Sequence, residues 1–232
     1  GYLPEERGLY KSMKVGEQVL YLAQLKGLSK HEAKKRLKYW FERLDIGDWW
    51  DKKIQELSKG MAQKIQFVVT VLHNPKLLIF DEPFRGFDPI NANLIKDEIL
   101  KLRDDGATVI FSTHRMESVE EMCDHIALIH KSNKILDGKL IDIKRQYRNN
   151  TFQIGLITPN HAATSAELKD KFDIYPAAFN SINDELQYKV KLPDSISTND
   201  FVSYLTSLGQ LTHFVEVVPS VSDIFIETIK KN

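Results

Sequence analysis

Two adjacent carboxylates close an apolar run, Lys76-Leu77-Leu78-Ile79-Phe80-Asp81-Glu82. The run is typical of a buried strand, and open α/β sheets bind their ligands beyond the carboxyl ends of their strands. An aspartate there can hold Mg²⁺, and a neighbouring glutamate can orient or deprotonate an attacking water. The pair therefore favours a hydrolytic nucleotide site at Asp81 and Glu82. An ordinary buried strand followed by a polar turn is the alternative.

A helix that begins near Ser58 has the features of an anion site. The segment Leu57 to Met61 precedes a helical stripe of apolar residues, Ile65, Val68, Val69 and Leu72. Ser58 is a favourable N-cap, and Gly60 allows a ligand to come close to the first turn. Free amides and the positive end of the helix dipole attract phosphate groups at such a helix start.

The loop that usually completes such a site is missing from the sequence. A phosphate-binding loop reads G-x-x-x-x-G-K-[ST], and its backbone amides hold the phosphates. No pair of glycines before the acidic strand has that spacing. The sequence therefore predicts one part of an enzyme.

Four motifs in a fixed order resemble the ATP-binding subunit of ABC transporters, in the bacterial sodium-extrusion and drug-exporter-like subgroup. Leu57 to Met61 is similar to the signature motif, and Leu77 to Glu82 resembles the Walker B strand with its catalytic glutamate. Gly86-Phe87-Asp88 is similar to the D-loop. His114 follows a second strand, 108–112, and occupies the position of the switch histidine.

The resemblance implies a role for each matching residue. Glu82 and His114 are expected to be catalytic, and Asp81 is expected to bind Mg²⁺ through water. The D-loop residues Gly86 and Asp88 are expected to communicate across a dimer. The nucleotide-binding residues of the signature motif, which act on the ATP of a second subunit, are Ser58, Lys59, Gly60 and Met61. Lys59 and Met61 stand where the family has glycine and glutamine, and Lys59 would bring a positive charge near a phosphate.

The resemblance also implies cofactors and partners. The full-length protein is expected to use ATP and Mg²⁺, to form a head-to-tail dimer with a second ATP-binding subunit, and to power an exporter. It is expected to contact a transmembrane permease through Tyr2–Tyr10 and the helical region, and so to be cytoplasmic and peripheral on the inner face of the membrane. Walker A and the Q-loop would precede Gly1. We therefore expect a truncated chain that binds and hydrolyses ATP poorly.

Two alternatives remain open at this stage. One is a soluble ABC ATPase that serves no transporter, although 151–232 is too short for a second nucleotide domain and 11–56 too short for a long coiled coil. The other is a catalytically silent interaction fragment. Co-purification with a membrane protein would discriminate between them and the transporter subunit.

The composition is that of an ordinary globular chain. Its 232 residues carry 32 basic and 32 acidic side chains, a net charge of zero, and 42% of residues are hydrophobic. This balance gives no indication of a nucleic-acid surface, and we expect no nucleic-acid partner. No apolar run reaches the roughly 20 residues that a membrane-spanning helix needs. The single Cys123 excludes an internal disulfide.

The fold class predicted is α/β, the C-terminal part of an ABC-type P-loop ATPase followed by a small α+β domain. Residues 1–57 form a helical subdomain that follows the Q-loop, with a capping box at Ser29 and Glu32. Residues 58–149 alternate helix and strand, with a strand at 125–129, which predicts a parallel sheet. Asn133 and Asp137-Gly138 are predicted as turns around a short strand, 134–136. Residues 150–232 form an accessory domain in which strands bracket two helices, as in ferredoxin-like folds, with one strand predicted from Phe214 to Val218.

Overall fold

The computed structural model describes residues 1–6, 8–180 and 184–231. The chain forms two compact units, Gly1–Arg115 and Met116–Asn232. The predicted Tyr2–Tyr10 contact segment includes Arg7, which lies outside the described residues. The domain boundaries predicted after residues 57 and 149 stay predictions. Within the described ranges, no helix combines the length and the apolar character that a membrane crossing requires.

A parallel sheet of three strands forms the centre of the first unit. The strands β1 (Tyr2–Leu3), β2 (Leu77–Asp81) and β3 (Thr108–Ser112) lie in the order β1-β2-β3. Leu78 and Phe80 of β2 point to the buried face, while Leu77 and Ile79 are exposed. The predicted strands at 76–80 and 108–112 are confirmed. Strand β1 was not predicted, because two residues are too short to show a period.

The described part of the first unit also contains four α-helices: α1 (Val15–Leu25), α2 (Lys30–Arg43), α3 (Lys59–Val71) and α4 (Pro89–Asp104). The predicted capping box of α2 is only half formed. The Ser29 hydroxyl accepts a hydrogen bond from the Glu32 amide at 3.1 Å, as predicted. The Glu32 carboxylate instead accepts from Arg36 Nε at 2.7 Å, because that guanidinium lies one turn further along the same helix.

Aromatic contacts join α2, α3 and β2. The Trp40 ring meets Phe67 edge-on with centroids 5.7 Å apart, and Phe67 stacks on Phe80 at 6.0 Å. Trp50 packs against Phe41 at 5.5 Å and covers Gly16, where an added Cβ would lie only 2.3 Å from the indole. Helix α1 can therefore approach this ring only through a glycine, and Trp50 anchors the packing at this point.

The second unit begins with α5 (Met116–Met122) and a hairpin of β4 (His125–His130) and β5 (Asn133–Lys139). A strand was correctly predicted at 125–129, but the prediction that it belongs to a parallel sheet is wrong. Strand β4 pairs antiparallel with β5, because Lys131 and Ser132 both adopt positive φ angles, 45° and 64°, and form a tight hairpin turn. Asp137 and Gly138, predicted as a turn, lie inside β5.

Two further helices pack near this hairpin. They are α6 (Leu140–Gln146) and the C-terminal α9 (Val221–Lys231). Their shared apolar cluster is formed by Ile126, Leu140, Ile143, Val221 and Ile224. The Glu120 carboxylate supports it by accepting hydrogen bonds from Lys144 Nζ at 2.9 Å and from the amide of Val221. The last helix is therefore an integral part of the second unit.

The remaining elements form the ferredoxin-like domain that the sequence predicted. They are β6 (Thr151–Ile157), α7 (His161–Lys171), β7 (Asp173–Pro176), β8 (Leu186–Lys191), α8 (Thr198–Leu208) and β9 (Gln210–Glu216). The strand order is β7-β8-β6-β9, and all neighbours are antiparallel. This is a split β-α-β arrangement, with β8 between the parallel pair β6 and β7.

One boundary in this domain was predicted wrongly. Strand β9 begins at Gln210, and the prediction placed its start at Phe214. The chain leaves α8 at Gly209 and enters the strand at once. This close approach requires glycine at position 209, because a Cβ there would lie only 2.2 Å from the carbonyl oxygen of Ile157.

Candidate functional site

The acidic pair lies at the rim of the parallel sheet. Asp81 is the last residue of β2 and stands opposite Ser112, the last residue of β3. The Ser112 hydroxyl donates a hydrogen bond to the Asp81 carboxylate, and the Glu82 amide donates to the Ser112 carbonyl at 3.0 Å. The carboxyl ends of two neighbouring strands therefore hold both carboxylates at one edge, as the sequence predicted.

Glu82 is fixed by three hydrogen bonds from the segment after β3. Its Oε1 accepts from the backbone amide of His114 at 2.9 Å and contacts His114 Nδ1 at 2.6 Å. Its Oε2 accepts from Thr113 Oγ1 at 3.2 Å. A carboxylate offers about four lone-pair positions, so one position on Oε2 remains for a further donor.

The backbone at Glu82 has an uncommon conformation. Its φ angle is 46°, in the left-handed region that residues other than glycine rarely adopt. Such a residue costs of the order of 1–3 kcal/mol and persists where the surroundings fix it. Here the bonds from Thr113 and His114 supply that constraint. The turn directs the carboxylate away from the line of β2 and toward the end of β3.

His114 projects to solvent from this rim. Its side chain is 82% exposed, while the side chain of Glu82 is only 14% exposed. A carboxylate can only accept a hydrogen bond, so the proton between the two residues belongs to Nδ1 of the imidazole. The other ring nitrogen, Nε2, is then the one left to contact a ligand.

The start of α3 forms a second group. The Ser58 hydroxyl accepts from the Met61 amide at 3.2 Å and caps the helix, and the Ala62 amide bonds to the Ser58 carbonyl at 3.0 Å. The first helical residues, Lys59 and Gly60, have amides that an α-helix cannot satisfy internally. Ser58 and Lys59 are exposed, so this helix end has access to a ligand in solvent.

The same helix start interlocks with the loop after β2. A Cβ on Gly60 would lie 3.1 Å from the carbonyl oxygen of Gly86, and a Cβ on Gly86 would lie 3.2 Å from Lys59 Cγ. Gly86 also has a φ angle of 85°. The Lys59 side chain therefore lies along the Gly86 turn, a contact that sequence reasoning missed.

Asp88 caps a helix within its own chain. It is the N-cap of α4, and its carboxylate accepts hydrogen bonds from the Asn91 amide at 3.0 Å and from Asn91 Nδ2 at 2.6 Å. These hydrogen bonds lower the pKa of Asp88. The aspartate is thus ionised and held at the helix start, beside the loop that contains Gly86.

The predicted residues therefore form two groups. Asp81, Glu82 and His114 meet at the sheet rim, and Ser58 to Met61 meet the Gly86 loop. Sequence reasoning gave no role to the hydroxyls of Ser112 and Thr113. Their positions could have indicated these roles, because residues that end neighbouring parallel strands lie side by side.

The carboxylates at the rim suit a hard cation. Mg²⁺ is usually held by one or two carboxylates, with waters and phosphate oxygens as its other ligands. Asp81 presents a carboxylate of this kind, half-buried and oriented by Ser112. The donor set at this edge therefore fits Mg²⁺ bound together with a phosphate ligand.

Comparisons with known proteins identify the family of the chain. The family described as ABC transporter matches residues 1–85, and the family of the DrrA1-3-like ATP-binding protein C-terminal domain matches residues 138–229. The chain is 40% identical over 229 residues to YhaQ of Bacillus subtilis, an uncharacterised ABC transporter ATP-binding protein, covering 99% of this chain and 74% of that protein.

Two further proteins are similar to the chain. The linearmycin resistance ATP-binding protein LnrL of Bacillus subtilis is 30% identical, with 90% of this chain and 64% of that protein covered. A solved ATP-binding subunit of an ABC transporter matches with a TM-score of 0.60 and 32% identity, covering 63% of this chain and 61% of that one. The chain belongs to the family of ABC transporter ATP-binding proteins.

Proposed function

We propose that this protein is the ATP-hydrolysing subunit of an ABC exporter and that the rim of its parallel sheet is the hydrolytic site. The observation that carries the proposal is the Glu82 carboxylate. It is nearly buried, held by Thr113 and His114, and has a lone-pair position left on Oε2. A base fixed in this way can accept a proton from one water at a defined place.

Each residue at the rim would have its own role in hydrolysis. Asp81 would hold Mg²⁺ through its waters, and the ion would neutralise charge on the phosphates. The oxygen of the attacking water bonds to the γ-phosphorus as the bond to the bridging oxygen breaks, and Glu82 accepts the proton of that water. With both ring nitrogens protonated, His114 would donate from Nε2 where negative charge develops on the γ-phosphate, while Nδ1 stays bonded to Glu82.

The helix start at Ser58 would act on the nucleotide of a second subunit. In a head-to-tail dimer, the amides of Lys59 and Gly60 and the positive end of α3 would close over the γ-phosphate. Because Lys59 and Gly60 contact the Gly86 loop, a change at the signature helix would be passed to Asp88 at the start of α4. This contact is the physical basis we propose for communication across the dimer.

The partners follow from the same proposal. The permease would bind the segment Tyr2–Tyr10 and the neighbouring helical region, where Tyr2, Tyr10 and Tyr21 are exposed. The protein would then lie on the cytoplasmic face of the membrane. The export direction is supported by the likeness to LnrL, whose name records resistance to linearmycin.

We further propose that the present sequence binds ATP weakly, because it contains no G-x-x-x-x-G-K-[ST] loop. Calorimetric titration of the 232-residue chain with Mg-ATP should then give no micromolar isotherm. A clear isotherm in that range would show that the phosphate loop is dispensable for binding.

The hydrolytic role of Glu82 is tested in a form of the protein that carries a phosphate loop before Gly1. Glu82→Gln keeps the shape of the side chain and removes its basicity, so kcat should fall by about 10²–10⁴ while ATP binding persists. Glu117→Gln, an exposed position on α5, is the matched control and should leave kcat unchanged. Near-normal turnover by the Glu82 variant would remove Glu82 from the mechanism.

A further inference from the structure

The turn between α1 and α2 exposes an apolar side chain beside a lysine. Leu25, the last residue of α1, is 66% exposed, and Tyr21, one turn earlier on the same face, is 44% exposed. Lys26 follows directly and is exposed. Gly27 has a φ angle of 87°, and the Leu28 amide bonds back to the Ala23 carbonyl at 3.2 Å. These features close the turn tightly and leave Leu25 and Lys26 on a protrusion.

A row of basic side chains continues from this turn along α2. Lys30, Lys34 and Lys38 are spaced by four residues and therefore share one face of the helix, with Lys35 beside them. All four are exposed. Ala33, Leu37, Trp40 and Phe41 of the same helix are buried and lie on the adjoining face. The helix is thus amphipathic, with a cationic face toward solvent.

This basic face makes few ion pairs within the fold. Within the described residues, Lys26, Lys30, Lys34 and Lys35 form no ion pair, and Lys38 reaches Glu42 only at 3.9 Å, with both side chains exposed. Like charges four residues apart destabilise a helix. The carboxylates nearest to this row, Glu32 and Glu42, are fewer than the lysines, and the excess positive charge at the surface points to an external anionic partner.

The combination of a row of lysines and an apolar protrusion selects one kind of partner. Peptides are usually recognised in grooves or at sheet edges. A convex turn with an exposed leucine fits a flat surface that the leucine can enter. Interfacial segments bind anionic bilayers in this way, with apolar side chains at the acyl boundary and lysines at the headgroups.

We propose that the α1–α2 turn and the basic face of α2 bind directly to an anionic phospholipid bilayer. Leu25 enters the interface, and Lys26, Lys30, Lys34 and Lys35 lie over the headgroup phosphates. This contact goes beyond the proposed function, because it needs neither nucleotide nor permease. It would hold the subunit at the membrane while the permease site is free.

The test uses the 232-residue chain and vesicles in a sedimentation assay. The chain should bind vesicles of phosphatidylcholine and phosphatidylglycerol, should not bind vesicles of phosphatidylcholine alone, and should dissociate as salt is raised. Each lysine near an anionic surface strengthens binding about fivefold. The combined change Lys26→Gln/Lys30→Gln/Lys34→Gln should therefore weaken binding by about 100-fold. Unchanged binding by that variant would overturn the proposal.

The control removes the same charge from another part of the chain. Lys131, Lys169 and Lys191 are exposed residues of the second unit, and their combined change to glutamine should leave vesicle binding unaltered. An equal loss in this control would mean that only net charge matters, which contradicts a localised site. Circular dichroism of both variants should match that of the original chain, since all six lysines are exposed.

A second variant distinguishes an anionic bilayer from an acidic protein as the partner. Leu25→Ser should weaken vesicle binding severalfold, because the serine does not enter the interface, and should not alter binding to soluble polyglutamate. If polyglutamate binds as tightly as the vesicles and Leu25→Ser affects neither, the basic face serves an acidic polypeptide and the bilayer proposal is wrong. A Glu82→Gln chain should bind vesicles normally, so failure of the hydrolytic proposal would be recognised separately.

Discussion

Glu82 Oε1 accepts two hydrogen bonds from one residue, from the His114 amide at 2.9 Å and from His114 Nδ1 at 2.6 Å. The two bonds fix both the backbone and the ring of His114 relative to the carboxylate. They assign the Nδ1 proton and leave Nε2 facing away from Glu82. The histidine is therefore positioned by one nitrogen and free to act with the other.

Substitutions that imitate one nitrogen at a time should separate these two tasks. In a form that carries a phosphate loop, His114→Asn keeps a donor near the Nδ1 position and loses reach, whereas His114→Gln places its amide near the Nε2 position. If Nε2 contacts the γ-phosphate, kcat should fall by about 10²–10³ in the asparagine variant and by roughly tenfold in the glutamine variant. The reverse order would assign the essential contact to Nδ1.

The contact between Lys59 and Gly86 should be measurable in the stability of the chain. Gly86→Ala places a side chain at a φ angle of 85° and brings its Cβ within 3.2 Å of Lys59 Cγ. Gly106→Ala is the matched control, because Gly106 has a φ angle of 101° and no atom within 4 Å of an added Cβ. The control should lose about 1–2 kcal/mol, the cost of a left-handed alanine.

Gly86→Ala should lose more than Gly106→Ala in urea denaturation, and the excess should disappear when Lys59 is also changed to alanine. This double-mutant cycle isolates the contact between the two residues, because Gly86→Ala has the same cost for its positive φ angle whether residue 59 is lysine or alanine. Equal losses for the two glycines would mean that Lys59 swings away freely and does not link the signature helix to the loop.

The sequence predicts well the elements that have a periodic pattern of apolar residues or a capping residue at one end. Helix α3 combines an apolar stripe with a serine cap at Ser58, and β8 alternates cleanly from Leu186 to Lys191. Strand β7 has only four residues and escapes such reasoning. The pairing of β4 depended on a two-residue turn, Lys131-Ser132, whose residue types are not those that usually indicate a tight hairpin.

The sequence indicated where the acidic and basic residues of the candidate site lie, but it did not indicate the groups that hold them. Asp81, Glu82 and His114 are unusual residues at the ends of apolar strands, so position and type identify them together. Thr113 becomes visible only once the parallel register places β3 beside β2. The packing of Lys59 on Gly86 depends on backbone angles in a loop, and no periodic pattern reports those angles.

Helices α2 and α4 are joined by an ion pair with one buried member. Arg43 Nε donates to the carboxylate of Glu98, whose side chain is only 2% exposed, while the Arg43 side chain is 47% exposed. The hydrogen bond raises the pKa of Arg43. Removing the arginine leaves a buried carboxylate without its counter-charge, which is worse than removing both charges.

Arg43→Met should therefore lower Tm more than the double variant Arg43→Met/Glu98→Gln. Lys38→Met is the control, because the Lys38–Glu42 pair is exposed at both ends and contributes little. Differential scanning calorimetry of the three variants gives the comparison. If the double variant melts below Arg43→Met, then Glu98 is stabilised by groups other than Arg43.

His73 should make the stability of the chain depend on pH. Burial, with a smaller contribution from the positive charges of Lys26 and Arg36, lowers the pKa of His73 from 6.5 to about 4. Its Nδ1 is buried without a hydrogen-bond partner among the residues described. The unfolded chain therefore binds a proton at a higher pH than the folded chain, and stability is lost as pH falls from 6.5 toward 4. Below about 4 both states are protonated and the loss from this group is complete.

His73→Gln removes the titrating group, so the difference in unfolding free energy between the original chain and the variant should change over this pH range and be flat above pH 7. The control, His125→Gln, alters an exposed histidine and should retain the original slope. Urea denaturation at a series of pH values measures both. An identical slope in the His73 variant would show that groups other than His73 set the acid stability of the chain.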